Sequence, residues 1–313
     1  MLSYLCKRIG AGLVLLGLVS LVTFMMVFRS PEAIAFNIIG STATADQITR
    51  KITELGLDRP VLIQYLDWLS RAVQGDFGVS WFKAEPVSTL INRHLPVSLS
   101  MVGVAVVVMG LAAALLGVIA AVRGGWVDRA IQILSVVGFS VPSFWLGLLL
   151  VIFFAVRLNW LPATGYVSFT RSPLDWATSL VLPVTALVLA GIASASQQVR
   201  GAVIDALDQD YIRTLKARGV TQRSILFRHA LRNAVPPALT VLSLQFIALV
   251  GGAAIIEQVF AIPGLGSLTV TASLNGDVPV LMGVVVTLII LVIAVNFVID
   301  LLNALANPKV RMP

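Results

Sequence analysis

The stretch LPVSLSMVGVAVVVMGLAAALLGVIAAV, residues 95–122, decides the fold class of this chain. It contains no Asp, Glu, Lys, Arg or His. An α-helix rises about 1.5 Å per residue, so about 20 apolar residues cross the hydrocarbon layer of a bilayer. We therefore predict that this stretch forms a transmembrane helix.

Five further runs of at least 20 residues share this absence of charge. The six runs are 9–28, 95–122, 131–156, 176–199, 233–256 and 278–299. They predict an all-α, polytopic membrane protein with six transmembrane helices. The first run could instead be a cleaved signal peptide, because Lys7 and Arg8 precede it. Its apolar stretch exceeds the usual signal core and no clear small-residue cleavage site follows, so we expect a retained helix.

The composition of the whole chain agrees with a lipid environment. Of its 313 residues, 58% are hydrophobic and 12% are charged, and the mean hydropathy is +0.95. Soluble domains carry about a quarter of their residues as charged. The net charge of +7 does not indicate nucleic-acid binding, because the basic residues are spread between apolar runs. The single cysteine, Cys6, excludes an internal disulfide, and His94 and His229 are isolated, so we expect no metal site.

The distribution of Lys and Arg predicts the orientation of the chain. With a cytoplasmic N-terminus, the inside segments 1–8, 123–130, 200–232 and 300–313 hold 13 of the 22 basic residues. The two short outside segments, 157–175 and 257–277, hold only Arg157 and Arg171. Cytoplasmic loops carry the excess of basic residues, so both termini are expected in the cytoplasm.

These expectations divide the chain into four parts. They are an N-terminus with the first helix (1–28), an extracytoplasmic helical segment (29–94), a five-helix core (95–305) with a cytoplasmic loop (200–232), and a cytoplasmic tail (306–313). In the extracytoplasmic segment, the sequence pattern predicts a helix that is capped by Thr44 and Gln47 and ends at Gly56. It predicts a second helix that begins at Pro60. A third, short helix is expected over 87–94. The segment either shields helix ends or receives a soluble partner.

Prolines interrupt the apolar runs at Pro142, Pro183 and the pair Pro236 and Pro237. Proline removes a backbone donor and kinks a helix. We favour the interpretation that the kinks serve the packing of the helices. The alternative is that they are hinges of a pathway that opens and closes.

The loop 200–232 carries the most specific pattern in the chain. It contains RTLKARG at 213–219 and HALRN at 229–233. Two short amphipathic helices are expected, joined at Gly219, with Thr221 capping the second. Such helices lie on lipid headgroups or insert into a groove on a partner.

This loop resembles the "EAA" loop of binding-protein-dependent ABC importers, in the dipeptide, oligopeptide and nickel branch. Arg213, Thr214 and Leu215 stand at the places of Glu-Ala-Ala; Arg-Thr is usual for this branch, whereas Leu215 is bulkier than the expected small residue. The resemblance extends over essentially the whole chain, through the strings at 4–9, 55–60, 75–80, 140–147, 158–165 and 257–266. The chain looks like the first of the two permease subunits of such a system.

The resemblance implies a type I ABC importer permease whose loop docks into ATPase subunits. The implied coupling residues are Arg213, Leu215, Lys216, Ala217, Gly219, Val220, Arg223, Phe227 and His229. The implied partners are a homologous second permease, two ATPase subunits or one fused ATPase, and an extracytoplasmic solute-binding protein. The chain has no Gly-x-x-x-x-Gly-Lys-Ser/Thr segment, so we expect ATP and Mg²⁺ to be bound by the partners and this chain not to be an enzyme.

The end of the fifth apolar run is the second candidate site. Glu257 is an ionisable group at the membrane boundary, where it either serves a gate or caps or solvates a helix end. The glycine-containing turn that follows predicts a re-entrant or gate segment at the external mouth. The candidate residues are Glu257, Phe260, Pro263, Gly264 and Gly266.

Two other functional classes compete with an importer permease. A secondary transporter or channel would need inverted repeats or charged residues at mid-membrane, and neither is visible. An intramembrane enzyme would need a catalytic pair, and the six runs contain no His or Asp. The expected cargo is a di- or oligopeptide; nickel chelates, haem or another small solute remain alternatives. The expected location is the bacterial cytoplasmic membrane.

Overall fold

A computed structural model describes residues 2–27, 30–40 and 42–306, with side chains for 10–27, 30–40 and 42–303. Within these ranges the regular secondary structure is helical. Val79 and Pro86 form an isolated antiparallel β-bridge. The α-helices are α1 Leu2–Val27, α2 Pro31–Ile39, α3 Ala45–Glu54, α4 Val61–Ala72, α5 Val87–Arg123, α6 Gly125–Ser140, α7 Ser143–Leu150, α8 Pro173–Leu207, α9 Asp210–Ala217, α10 Gln222–Ser224, α11 Leu231–Val259, α12 Leu265–Asn275 and α13 Val278–Ala306. Two π-helices, π1 Val151–Arg157 and π2 Ile225–Ala230, complete the set.

Each of the six apolar runs is helical in the described part of the chain. Five of the runs lie in single long helices, and the sixth is a bent pair of helices. Gly10–Val27, Val87–Arg123, Pro173–Leu207, Gln222–Val259 and Val278–Asn303 are each long and apolar enough to cross a membrane. The side chains of Lys7 and Arg8, and the tail from 307, including Lys309 and Arg311, lie outside what the structure describes.

The third apolar run is broken rather than straight. Its two pieces, Gly125–Ser140 and Ser143–Arg157, meet at 94° and form a sixth span only if the pair is counted as one. Val141 is extended, with φ −92° and ψ 121°, and Pro142 follows as the N-cap of α7. The residue before a proline avoids helical angles and proline donates no N–H, so the helix ends there.

By internal packing the chain divides into two units, Met1–Ser98 with Pro263–Ile293, and Leu99–Ile262 with Ala294–Pro313. In the first unit, Phe24 of α1 packs against Tyr65 of α4 with ring centroids 5.6 Å apart. The hydroxyls of Tyr65 and Ser20 share a hydrogen bond of 2.9 Å. Helix α4 is thus anchored on the first apolar helix.

The segment between α1 and α5 contains the predicted capping box and the predicted stop at Gly56. Thr44 and Gln47 form the full capping box at the start of α3. Gly56 and Gly75 take φ of +66° and +84° after α3 and α4. Residues 87–94 are helical as expected, but they are the first turns of α5 rather than a separate helix.

A buried carboxylate, Asp277, holds the loop that precedes α5. The hydroxyl of Ser80 donates to Asp277 Oδ2 at 2.5 Å, and the Trp81 N–H donates to Oδ1 at 3.3 Å. Asp277 is 4% exposed. Nothing in the sequence pattern pointed to this contact, because its partners are 197 residues apart.

In the second unit, α5, α8 and α11 pack through small side chains. Ala113, Ala195 and Val241, one from each helix, form a buried cluster. At Gly117 a Cβ would lie 2.7 Å from the Ser196 carbonyl oxygen and 2.8 Å from Val199. Small residues let helix backbones approach closely, which is how membrane helices associate without a hydrophobic driving force between them.

Candidate functional site

The loop 200–232 contains a sharp turn between α9 and α10. Gly219 has φ +78°, a conformation that costs an L-residue about 1–2 kcal/mol and glycine little. Thr221 then caps the next helix, its Oγ1 accepting the Ser224 N–H at 3.4 Å. The predicted turn and cap are thus present.

Two buried side chains and one hydrogen bond fix this turn on the second unit. Ile212 of α9 and Ile225 of π2 are 0% and 1% exposed. Asn233 Nδ2 donates to the Tyr211 hydroxyl at 2.6 Å, joining α9 to α11. The turn is therefore a folded surface rather than a loose connection.

The opposite side of this turn is exposed and basic, and we call it the coupling face. Of the nine predicted coupling residues, six are exposed and three are half-buried. The exposed ones are Arg213, Lys216, Ala217, Gly219, Arg223 and Phe227, and the half-buried ones are Leu215, Val220 and His229.

Phe227 is the most unusual member of the coupling face. Its aromatic side chain is 68% exposed between basic residues, in a loop predicted to lie outside the membrane. Arg213 pairs only loosely with Asp210 at 3.6 Å, both side chains being largely exposed. Such surface pairs contribute little to stability, so the Arg213 guanidinium is free to engage another partner.

The second predicted helix of the loop differs from the expectation of a short separate element. α10, π2 and α11 run as one helix, Gln222–Val259. The coupling face and the fifth apolar run are therefore continuous. π2 lies at the junction, and π-helical turns are rare insertions that occur often at functional sites.

An ion pair joins α8 to α6 in the second unit. Arg200 of α8 reaches Asp128 of α6 through two hydrogen bonds of 2.6 Å, Nε to Oδ1 and Nη2 to Oδ2. This forked geometry is the strong form of an Arg–carboxylate contact. Each residue lies beside an apolar run, and this was the only feature of the sequence that pointed to either of them. Their pairing could not be predicted without knowing that α6 packs on α8.

At the end of α11, Glu257 and Phe260 are buried within the second unit. Glu257 is 0% exposed and Phe260 is 1% exposed. The Phe260 carbonyl accepts the Gly165 N–H at 2.8 Å, and its ring lies 3.1 Å from the Cβ position of Gly147. Glu257 thus lies inside the protein.

The turn 263–265 belongs to the first unit and is held by two side chains of α5. His94 Nδ1 lies 2.9 Å from the Pro263 carbonyl oxygen, which only accepts, so Nδ1 carries the proton. The Leu265 N–H donates to Ser98 Oγ at 2.7 Å. Gly264 caps α12, whose first turn contains Gly266. Sequence reasoning found the turn but left His94 without a role.

The four predicted hinge prolines have different settings. Pro142 lies at the 94° break. Pro183 lies within α8, and Pro236 and Pro237 lie within α11; both helices continue through them.

Comparison with known proteins identifies two family profiles. Residues 113–312 match the binding-protein-dependent transport system inner membrane component, and residues 1–102 match the N-terminal part of such membrane components.

Relatives match over nearly the full length. A putative peptide transport system permease protein of Brucella abortus (strain 2308) is 39% identical over 99% of both chains. The oligopeptide transport system permease protein AppB of Bacillus subtilis is 33% identical over 99% of this chain and 100% of its own. The glutathione transport system permease protein GsiC of Escherichia coli K12 is 37% identical over 99% of both chains.

A solved structure shows the same fold. An inward-facing form of the MetNI methionine ABC transporter is 22% identical, with a TM-score of 0.57, and covers 70% of this chain and 96% of that chain. The predicted all-α permease fold is therefore confirmed. Together with the profile matches, these similarities show that the chain belongs to the family of binding-protein-dependent transport system inner membrane components and is an ABC importer permease.

Proposed function

We propose that this chain is the permease subunit of an ATP-driven peptide importer and forms half of its translocation pathway. The observation that carries the proposal is the coupling face: exposed Phe227 and basic residues on a turn fixed by buried Ile212 and Ile225. An apolar side chain surrounded by cations on a folded base suits docking into a groove of a partner protein.

The cargo is a di- or oligopeptide. Support comes from the names of relatives, which are peptide, oligopeptide and glutathione permeases at 33–39% identity over nearly the whole chain. A nickel chelate, haem or another small solute is the alternative.

The energy comes from partner subunits. The chain contains no phosphate-cradling Gly-x-x-x-x-Gly-Lys-Ser/Thr segment, so ATP and Mg²⁺ are bound by two ATPase subunits or one fused ATPase. Converting a 1:99 ratio of two conformations into 99:1 needs about 5.5 kcal/mol of differential binding, which docking to an ATP-closed partner supplies. This chain is the first of two homologous permeases, and an extracytoplasmic binding protein delivers the cargo.

The location is the bacterial cytoplasmic membrane, with both termini and the coupling face in the cytoplasm. The bias of 13 basic residues on the predicted inside supports this orientation. Glu257 and Phe260 of the second unit are candidate gate residues, and so, independently, are Pro263, Gly264 and Gly266 of the first unit. Pro142, Pro183, Pro236 and Pro237 are the candidate hinges of the spans.

Gly219 offers the test of coupling. Gly219→Val places a β-branched side chain at φ +78°, which distorts the turn, although no atom lies within 4 Å of the new Cβ. We expect normal membrane insertion, loss of ATPase co-purification and loss of uptake.

Two controls accompany this variant. Gly219→Asn tolerates the left-handed conformation, so assembly should be kept. Gly201→Ala lies in α8, also with nothing within 4 Å of the added Cβ but without a positive φ, and should be neutral. Normal assembly and uptake with Gly219→Val would refute the coupling role. Transport by the chain alone in proteoliposomes would favour a secondary transporter.

A further inference from the structure

We propose that helix α4 lies in the membrane interface and that its exposed apolar side chains contact lipid acyl chains. α4, Val61–Ala72, belongs to the segment 29–94, which the sequence predicts to lie outside the membrane. An exposed apolar surface of this kind marks a contact with another protein or with a membrane. The sides of α4 and its level along two spanning helices decide between these partners.

One side of α4 is apolar and yet exposed, and we call it the apolar stripe. Its members are spaced four, three and four residues apart: Leu62, Leu66, Leu69 and Val73. Leu62 and Leu66 are 54% and 53% exposed, and Val73, directly after the last turn, is 81% exposed. Residues three and four apart are neighbours on a helix surface, so the stripe is continuous along the helix.

The other two sides of α4 have different surroundings. Tyr65 and Trp68 form a buried side, each 5% exposed. Asp67 and Arg71 are exposed and form a polar side. α4 therefore has one side against the protein, one apolar side and one charged side. A helix that lies in a membrane interface has this division, with its apolar side in the acyl chains and its charges at the headgroups.

The contacts of Tyr65 place α4 beside the membrane-spanning part of α1. The Tyr65 hydroxyl oxygen lies 2.9 Å from that of Ser20 and 3.3 Å from the carbonyl oxygen of Gly17. The charge-free run 9–28 has about the length that crosses the hydrocarbon layer, so both residues lie within that layer. Along the helix axis, Gly17 is about 15 Å and Ser20 about 10 Å from the end of α1 at Val27.

A second spanning helix, α13, gives the same level for α4. Tyr65 and Trp68 belong to one buried cluster with Val278 and Val286 of α13. Val278 is the first residue of that span, and Val286 lies about 12 Å further along it. The buried side of α4 therefore packs against the first turns of α13 inside the apolar span, and not only against its end.

This level favours lipid over a water-soluble partner. A tyrosine side chain extends away from its backbone, so the α4 backbone lies nearer the end of α1 than Gly17 does. The Tyr65 ring also packs against Phe24, three residues before that end, with centroids 5.6 Å apart. α4 therefore lies at the membrane boundary, where interfacial helices bury an apolar side in acyl chains. A soluble protein would have to displace those chains to reach the apolar stripe.

The test measures what surrounds a single nitroxide spin label in the complete transporter reconstituted in liposomes. In a Cys6→Ser background with cysteine-free partner subunits, Leu66→Cys places the label on the apolar stripe. Oxygen concentrates in acyl chains and a neutral nickel chelate stays in water, so the ratio of their collision rates with the label reports its surroundings. We expect this ratio to be several-fold higher at Leu66→Cys than at a label in water. Leu62→Cys, one turn earlier on the stripe, should agree.

Arg71→Cys is the matched control, because Arg71 lies on the polar side of the same helix. Its label should collide more often with nickel than with oxygen. Both positions are exposed, so the variants should keep the thermal stability of the Cys6→Ser parent. A label at Leu66→Cys that meets mainly nickel would place the stripe in water, and one that meets neither reagent would show that another subunit covers it. Either result would overturn the proposal.

Discussion

Phe227 and Ile225 lie two residues apart, yet the structure gives them opposite surroundings. Phe227 is 68% exposed and Ile225 is 1% exposed. The first is available to a partner, and the second stabilises the turn that presents it. Substitutions at these two positions therefore separate binding from folding.

Phe227→Ala should leave the thermal stability of the purified subunit within about 0.5 kcal/mol, because an exposed side chain is removed. Its affinity for the ATPase subunits should fall, measured by co-purification and by uptake. Ile225→Ala is the matched variant: it creates a cavity and should cost about 2–5 kcal/mol of stability. Equal ATPase affinity of Phe227→Ala and wild type would remove Phe227 from the coupling face.

At this scale, the sequence indicated which residues surround the turn but not which way they point. Gly219, Thr221 and the basic residues could be identified from pattern alone, because capping and left-handed turns depend on local chemistry. The hydrogen bond from Asn233 to Tyr211 joins residues 22 apart, and the contact of Ser80 with Asp277 joins residues 197 apart. Such pairs depend on tertiary packing, which a single sequence does not reveal.

At the scale of elements, the helices α5 and α8 approach closely at Gly117. A Cβ there would lie 2.7 Å from the carbonyl oxygen of Ser196, a backbone atom that cannot move without its helix. Gly103 is on the same helix with nothing within 4 Å of its Cβ position. The two glycines therefore serve different purposes.

Gly117→Ala should lower the thermal unfolding temperature of the purified subunit, since the added methyl forces α5 and α8 apart. Gly103→Ala should leave it unchanged or raise it, because alanine favours a helix by roughly 0.5–1 kcal/mol over glycine. Thermal unfolding in detergent measures both. A stability of Gly117→Ala equal to that of Gly103→Ala would contradict the close approach.

Helix existence could be predicted from the absence of charge, whereas helix continuity could not. Runs 95–122 and 233–256 begin where charges stop, but α5 starts at Val87 and the helix containing α11 starts at Gln222. Charge marks the membrane boundary and backbone hydrogen bonding marks the helix boundary, and the two differ. Only at Pro142 did a residue type indicate a real break.

At the scale of the whole molecule, orientation is the prediction to test. In a Cys6→Ser background, Lys83→Cys and Arg213→Cys place one thiol each on exposed positions of the predicted outside and inside. A membrane-impermeant maleimide should label Lys83→Cys in intact cells and Arg213→Cys only after lysis. Labelling of Arg213→Cys in intact cells would invert the topology.

The uninterrupted helix Gln222–Val259 has a mechanical consequence. Its 38 residues extend about 57 Å at 1.5 Å per residue, with the coupling face at one end and Glu257 near the other, so under the proposed function we expect it to act as a lever. Each degree of tilt about one end displaces the opposite end by about 1 Å. Under the proposed function, we expect the π-helical turn Ile225–Ala230, which contains Phe227, to determine how much of a displacement at the coupling face reaches the Glu257 end of the helix.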